Sequence, residues 1–322
     1  MNKLHFHLKI ILLFFFHLTI SLCVSQNILI PMDSKTQKNH LKSYGLAYWI
    51  LENNLEVDWL LNYRGGSFMF SHLPEIENEC NYRGISYEII SKEETLDILN
   101  TLASPQNNYD IIKLEKAPKI AVYSPKNKQP WDDAVTLVLE YAEIPYDIIY
   151  DKEIINNLLP LYDWLHLHHE DFTGQYGKFY RSFKNAPWYI EQKNIFEKEA
   201  KEQGFDKVSK QKLHIIKKIK EYTAGGGFLF AMCSATDSYD IALSMGLHDG
   251  AHSVFDNTTI DPEIQSKLDY TQCFAFKEFK LLSDPMVYEF SDIDFPPSHN
   301  PITRGAEADY FTLFEFSAKY DP

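Results

Sequence analysis

Cysteine is scarce in this sequence, and its scarcity excludes one class of protein. The 322 residues contain four cysteines, at positions 23, 80, 233 and 273. Three of them follow the N-terminal segment, so at most one disulfide can form there and one thiol stays free. A small fold held together by disulfides is therefore excluded, and the chain is long enough to bury a hydrophobic core without cross-links.

Positive charge is also scarce. The chain carries 31 Lys and Arg against 45 Asp and Glu, for a formal net charge of −14. The one basic run, residues 207–220, has spacing that is typical of the solvated side of a helix. Because nucleic acids and anionic membranes are bound through basic surfaces, we expect neither as a partner.

Long apolar runs are confined to the first 25 residues. Two lysines lead into an apolar run over residues 10–22, followed by small residues suited to cleavage, which predicts a secretory signal peptide over 1–25. Its removal changes the net charge from −14 to −16. Lipid anchoring at Cys23 is the alternative, but Leu22 occupies a place where a small residue is needed. We therefore expect a secreted or periplasmic protein with no stable membrane span.

Strand-like runs alternate with helical patterns along the whole chain, as in α/β proteins. In residues 26–110 the pattern predicts a helix over 40–52 between strands at 28–31 and 57–63, and a further helix over 74–83. A helix between two strands is typical of a βαβ unit in a parallel sheet. A polar loop then predicts a boundary, which gives two domains, 26–110 and 111–322.

The same order of elements starts again at KIAVYSP, residues 119–125. It indicates a duplicated unit, although any two βαβ units share this order. Strands are predicted at YDWLHL and FLFAM, and helices over 207–222 and 236–245. Residues 174–206 lack a clear period and predict an insertion over the sheet. The later runs CFAFKEF, MVYEF and YFTLFEF predict further strands.

One cysteine stands between a predicted strand and a predicted helix, in GGGFLFAMCSATDS, residues 225–238. A thiol at that place lies in the positive end of the helix dipole, and the amide of Ser234 would point toward an oxyanion beside the sulfur. Cys233 is therefore either a nucleophile on a sharp turn or a small buried residue. The candidates for an activating histidine are His248, His252 and His299.

The run HLHHED, residues 166–171, concentrates polar side chains after another predicted strand. It brings His168, His169 and Glu170 to the carboxyl end of that strand, where open α/β sheets bind their ligands. Alternation along the strand puts His166 and His168 on one face, where they could bind zinc with a carboxylate, but no third ligand follows at a diagnostic spacing. We therefore predict ligand-binding roles for these residues, with no metal and no cofactor.

A glycine turn ends the second predicted strand of the first half. Arg64, Gly65 and Gly66 could hold an anion with backbone amides and the guanidinium group. A tight turn with no ligand is the alternative.

The order of elements over residues 119–245, with a cysteine after the last strand, resembles the class I glutamine amidotransferase-like superfamily. The resemblance implies a three-layer α/β sandwich of flavodoxin-like topology with a mostly parallel sheet, and Cys233 on a nucleophile elbow. The sequence departs from the family pattern at Ala231 and Ala235, which replace the two elbow glycines, and at Asp237, which replaces a glutamine. No His-x-Glu pair follows the cysteine.

The whole chain also resembles exported bacterial proteins that commonly carry the label asparagine synthetase B. Neither the N-terminal cysteine nor the SGGxDS loop of true enzymes of that name is present. Two functions therefore stay open. One is hydrolysis or transfer of an amide through Cys233, and the other is binding of a small polar ligand, such as a sugar or an amino acid, without covalent chemistry. The partner in both is a small polar molecule, and the oligomeric state is left open.

Overall fold

The structure is a computed structural model that describes residues 26–125 and 134–293. The predicted signal peptide, His299 and the YFTLFEF run lie outside these residues. The chain divides between Ala117 and Pro118 into two compact units, and each has its own β-sheet. One sheet is antiparallel and the other is parallel, so the α/β class is confirmed.

The first unit forms a five-stranded sheet with helices. Its strands are β1 (Asn27–Ile30), β2 (Val57–Leu61), β3 (Ser67–Ser71), β4 (Glu88–Ile90) and β5 (Asp110–Leu114). Its helices are α1 (His40–Glu52), α2 (Pro74–Arg83) and α3 (Lys92–Ala103). The strand order is β4-β1-β3-β2-β5, and every neighbouring pair is antiparallel.

The predicted parallel pairing in this half is wrong. Strands β1 and β2 flank α1 in sequence, but β3 lies between them and pairs antiparallel with both. The chain reverses from β2 into β3 through a short turn in which Asn62, Arg64, Gly65 and Gly66 all have positive φ. Left-handed residues allow such a tight reversal, so β3 returns beside β2 before any crossover can form.

The second unit is built on a parallel sheet of four strands. The strands are β6 (Ile120–Tyr123), β7 (Asp147–Ile149), β8 (Trp164–Leu167) and β9 (Phe228–Ala231). The helices are α4 (Ala134–Ala142), α5 (Asp151–Ile155), α6 (Tyr180–Phe183), α7 (Pro187–Glu202), α8 (Val208–Ala224), α9 (Ser234–Met245) and α10 (Ser253–Asp256). The strand order is β7-β6-β8-β9. Because the two units have different sheets, the prediction of a duplicated unit is wrong.

The main core of the second unit lies between its sheet and helices α8 and α9. Leu165 and Leu167 of β8 pack in one buried cluster with Ile215 and Ile219 of α8. Helix α8 ends in three glycines before β9, and Gly226 has φ +100, a conformation that side chains rarely adopt. This ending returns the chain to the amino edge of the sheet, so β9 runs parallel to β8.

Two predictions for the second unit are wrong. The region 174–206 is not a loop without regular structure, since it contains the 16-residue helix α7. The runs CFAFKEF and MVYEF form no strands, and the only β pairing within residues 247–293 is an isolated bridge between Leu281 and Ser291. The N–H groups of residues 274, 275 and 276 bond to the Asp240 carboxylate, so they are not available to a strand ladder.

Candidate functional site

Cys233 lies at the turn from β9 into α9 and has the backbone conformation of an elbow. Its φ is 52° and its ψ is −142°, and its side chain is exposed. A non-glycine residue in this region costs on the order of 1–3 kcal/mol. Ala235 is fully buried behind the turn, where a larger residue would find no room. Cys233 is therefore a strained, exposed residue at the carboxyl edge of the sheet, whereas Cys80 is the buried cysteine.

The first turn of α9 offers an open donor beside this thiol. No group within residues 26–125 and 134–293 accepts a hydrogen bond from the N–H of Ser234. The next two amides bond back to the turn, from Ala235 to Met232 at 3.2 Å and from Thr236 to Cys233 at 3.1 Å. The helix dipole adds positive potential at the same point. An oxyanion that forms on a carbon bonded to the sulfur can be stabilised there.

The carboxyl end of β8 runs beside the elbow. Leu167 pairs with Ala231 in the parallel ladder, and beyond the strands the Ser234 hydroxyl donates to the carbonyl oxygen of His169 at 2.9 Å. The backbone ladder ends with the bond from the Met232 N–H to the Leu167 carbonyl, and the Ser234 side chain then holds His169 beside the elbow. The structure therefore brings together the two loops that the sequence predicted separately.

The loop after β8 is held in place by Glu170 and by α9. The N–H of His168 donates to the Glu170 carboxylate at 2.9 Å, and the Ser238 hydroxyl donates to the Glu170 carbonyl at 2.9 Å. The His168 and His169 rings lie 4.8 Å apart between centroids. Both histidines are half-buried and Glu170 is buried. The loop that carries both histidines is therefore fixed beside the elbow, with the two rings close to each other.

Asp171 organises the continuation of this loop. Its carboxylate accepts hydrogen bonds from the amides of Thr173, Gln175 and Gly177 at 2.6, 2.8 and 2.9 Å. The loop then passes through three successive residues of positive φ, namely Tyr176, Gly177 and Lys178. Such a conformation persists because the Asp171 carboxylate maintains it.

A lysine at the end of that loop is buried. The Lys178 ammonium donates to the carbonyl oxygens of Leu282 at 2.6 Å and Asp284 at 3.1 Å. Burial lowers the pKa of Lys178 from 10.5 to about 8. The side chain therefore fastens the loop after β8 to the segment around residue 283.

A buried ion pair lies at the carboxyl ends of β6 and β7. Lys212 of α8 donates to both carboxylate oxygens of Asp151 at 2.9 Å, and to the hydroxyls of Tyr123 and Tyr150 at 2.8 and 3.0 Å. Tyr123 also bonds to the Asp151 carboxylate. Burial and the nearby Asp151 charge raise the pKa of both tyrosines well above the ordinary value. The tyrosines therefore stay protonated and complete the cage around the pair.

The interpretation of residues 207–220 as a solvated face is wrong at Lys212. This residue is 2 % exposed and lies on the same stripe of α8 as Ile215, Ile216 and Ile219. The sequence already indicated this position, because the spacing i, i+3, i+4, i+7 places Lys212 and the three isoleucines on one face of the helix. A lysine in an apolar stripe indicates a buried acidic partner, and only the fold identifies that partner as Asp151.

The structure does not bring His248 to the thiol. Cys233 precedes α9 and His248 follows its other end, so a helix length of about 18 Å separates them. The His248 ring lies 3.6 Å from the Asp261 carboxylate instead. His252 caps α10 and accepts the N–H of Val254 on its Nδ1 at 3.3 Å. His299 lies outside the described residues.

The turn at Arg64 belongs to the first unit and is satisfied by protein groups. The Arg64 guanidinium bonds to both oxygens of Glu88 at 2.8 Å and to Asp33 at 3.2 Å, and these carboxylates raise its pKa. A side chain at Gly65 would meet the carbonyl oxygen of Met32 at 2.6 Å. At Gly66 φ is +88°, which also favours glycine. Arg64, Gly65 and Gly66 therefore form a tight turn whose arginine is held by carboxylates.

The structure was also searched for a membrane-spanning helix and for a group of metal ligands. No helix over 26–125 and 134–293 has the length and apolar character to cross a bilayer. Within the same ranges, no three His, Cys, Asp or Glu side chains are grouped as ligands of a metal ion.

Fold and site together define an α/β protein whose parallel sheet carries an exposed cysteine on a strained turn. A search of protein-family models, of curated proteins and of solved structures finds no match to this chain. The inference of function therefore depends on the residues themselves.

Proposed function

We propose that the protein is a cysteine-dependent amide hydrolase or amidotransferase on a glutamine amidotransferase-like core, with Cys233 as its nucleophile. The observation that carries the proposal is the positive φ of an exposed cysteine between a parallel strand and a helix. Strained backbone of this kind is concentrated at active sites, because the fold must maintain it against a free-energy cost. In nucleophile elbows, the same strand-turn-helix arrangement presents the reactive atom above the sheet.

The position of the elbow in the sheet supports the proposal. If β6 to β9 are numbered 1 to 4 in chain order, their order in the sheet is 2-1-3-4. This agrees with the first four places of the flavodoxin-like order 2-1-3-4-5. Ligands of such sheets bind outside the carboxyl ends of the strands, near the point where the strand order reverses. That point lies between β6 and β8, and the elbow follows β9, the next strand.

The proposed reaction is an acyl transfer. The Cys233 sulfur attacks the carbonyl carbon of an amide, the Ser234 N–H stabilises the oxyanion, and the C–N bond breaks. The amine leaves with the proton that the thiol gave up, and the acyl group remains as a thioester on sulfur. Water then attacks the thioester, the C–S bond breaks, and the acid and the free thiol are released. If a second amine takes the place of water, the result is amide transfer.

The test is acylation of the purified chain by p-nitrophenyl acetate. We expect one acetyl group on Cys233, located by peptide mass spectrometry, with release of p-nitrophenolate. Burial raises the pKa of Cys80 to about 12 and of Cys273 to about 11, so these thiols should react far more slowly. Cys233→Ala should abolish the acetylation and the matched control Cys273→Ser should retain it. Acetylation of Cys273 in place of Cys233 would overturn the proposal.

A second candidate is non-covalent binding of a small polar ligand at the same edge. The observation that favours it is the position of His248, which lies at the far end of α9 and cannot activate the thiol. The Ser234 amide and the imidazoles of His168 and His169 could bind a carboxylate or hydroxyl without a covalent step. A panel of amino acids and sugars, tested by thermal shift, separates the candidates. A ligand that stabilises wild type and Cys233→Ala equally favours the binding function.

A further inference from the structure

We infer that His169, in the loop after β8, is the catalytic base that takes the proton of Cys233. The inference rests on the proposed function and deepens it. The amidotransferase resemblance implies a histidine downstream of the nucleophile, whereas the structure bonds the backbone of a histidine in the loop after β8 to the residue next to Cys233. The activating group then comes from residues that the sequence marked for ligand binding.

The register of the parallel sheet carries the inference. Leu165, His166 and Leu167 pair with Leu229, Phe230 and Ala231. The N–H of Met232 then donates to the carbonyl of Leu167 at 3.0 Å. One step further, the Ser234 hydroxyl bonds to the His169 carbonyl at 2.9 Å. The segments that follow β8 and β9 are therefore hydrogen-bonded to each other beyond the strands.

The spacing of paired chains brings the imidazole within reach. Neighbouring strands lie about 4.8 Å apart, a distance that an imidazole side chain spans. Since the Ser234 hydroxyl holds the His169 carbonyl at 2.9 Å, the backbone of His169 lies beside the residue that follows the nucleophile. The half-buried environment of His169 leaves the ring accessible to a substrate at the edge.

His168 is the less suitable of the two histidines. Alternation along β8 places His168 on the face of His166, and their rings lie 6.0 Å apart. Its N–H is bonded to the Glu170 carboxylate. His169 is the residue whose carbonyl oxygen accepts the Ser234 hydroxyl at 2.9 Å, next to Cys233.

The proton balance of the step is complete. Neutral His169 takes the thiol proton as the sulfur attacks the carbonyl carbon. The imidazolium then gives that proton to the leaving nitrogen as the C–N bond breaks. In the second half, His169 takes a proton from water as it attacks the thioester, and returns it to the sulfur as the C–S bond breaks. The base ends each cycle neutral, and no other reactant is needed.

The test compares acetylation rates of the full chain with p-nitrophenyl acetate for wild type and three variants, His169→Ala, His168→Ala and His248→Ala. We expect His169→Ala to slow acetylation of Cys233 on the order of 100-fold, since a positioned base contributes about 10²–10⁴-fold. Added imidazole should restore the rate of that variant. His248→Ala, the control at the far end of α9, should react at the wild-type rate, and His168→Ala should slow acetylation far less than His169→Ala does.

The possible results distinguish a failure of the His169 proposal from a failure of the Cys233 proposal. A wild-type rate for His169→Ala, a loss that imidazole does not relieve, or a loss confined to His168→Ala would each overturn the role of His169 while Cys233 stays the nucleophile. Failure of the wild-type chain to become acetylated at Cys233 would overturn the proposed function itself. If His169→Ala does not fold, judged by circular dichroism, His169→Gln serves as the variant in the same comparison.

Discussion

The ammonium nitrogen of Lys212 lies 2.9 Å from both carboxylate oxygens of Asp151, and each residue is 2 % exposed. Asp151 follows β7, whereas Lys212 is on α8, so the pair joins the carboxyl edge of the sheet to a helix of its core. Two buried charges depend on one another, because either one alone would be left unpaired in a medium of low dielectric constant.

Asp151→Ala is expected to destabilise the protein strongly. The variant leaves the Lys212 ammonium buried without its anion, which costs about 3–5 kcal/mol of unfolding free energy. Urea unfolding followed by circular dichroism measures the loss. The double variant Asp151→Leu with Lys212→Met should recover much of it, since an apolar pair needs no desolvation of charge.

The control for this prediction is Lys210→Ala. Lys210 bonds to Asp206 at 2.7 Å on the surface of the same unit, and the urea midpoint of that variant should equal the wild-type midpoint. An Asp151→Ala midpoint equal to that of the control would contradict the account of a coupled buried pair.

Lys178 should make stability depend on pH in the alkaline range. Burial lowers its pKa to about 8 in the folded protein against 10.5 as the ordinary value, so the unfolded chain binds more protons between these values. The free energy of unfolding therefore rises with pH from about 8 to 10.5, relative to a Lys178→Met variant, by up to about 3 kcal/mol. Urea titrations of both proteins across this range measure the difference. A difference independent of pH, or equal to that of the exposed control Lys184→Met, would be the contrary result.

The strain at Cys233 predicts an order of stability among its variants. Cys233→Gly removes the penalty of φ 52°, whereas Cys233→Ala retains it, so the glycine variant should be more stable than the alanine variant by about 1 kcal/mol. Thermal unfolding of the two variants gives the comparison. At Ala231, which has no positive φ, the same change to glycine should cost about 0.5–1 kcal/mol. A glycine variant less stable than Cys233→Ala would show that the turn is not strained.

Replacement of Asp240 is expected to speed hydrogen exchange in the segment after residue 272. Its carboxylate accepts the N–H groups of Phe274, Ala275 and Phe276 at 2.8, 2.8 and 2.9 Å. Asp240→Ala removes all three acceptors, so these amides should exchange with deuterium faster than in the wild type. Hydrogen exchange with peptide mass spectrometry measures this, and the amides of β8 are the internal reference. Unchanged exchange over 274–276 would show that the carboxylate does not hold the segment.

Local periodicity predicted the helices well. The predicted bounds of α1 and α2 agree with the structure, and α8 differs by one or two residues at its ends. These segments carry their apolar residues at helical spacing and end at asparagine or glycine, so the information is contained in neighbouring residues. Helix α7 was missed because it buries a narrow stripe, with Tyr189 and Ala200 as its buried residues, and therefore shows little period.

The sequence did not predict the order and direction of the strands in the first unit. The sequence pattern predicted that β1 and β2 are neighbours in a parallel sheet, but β3 lies between them. An apolar run has the same local pattern whichever strand lies beside it, so direction and order depend on the turn chemistry and on the packing of the whole sheet.

The sequence by itself determined the place of Cys233, because a strand, a cysteine and a helix start follow one another in a single stretch. It also indicated polar residues at the end of β8. Only the tertiary structure decided that the His169 carbonyl is bonded to Ser234, next to Cys233, and that Lys212 is buried against Asp151. These partners are separated by more than sixty residues in each case, and their proximity follows from the register of β8 with β9 and from the packing of α8. Contacts between residues so far apart in the sequence depend on the fold of the whole chain, and a local sequence pattern does not predict them.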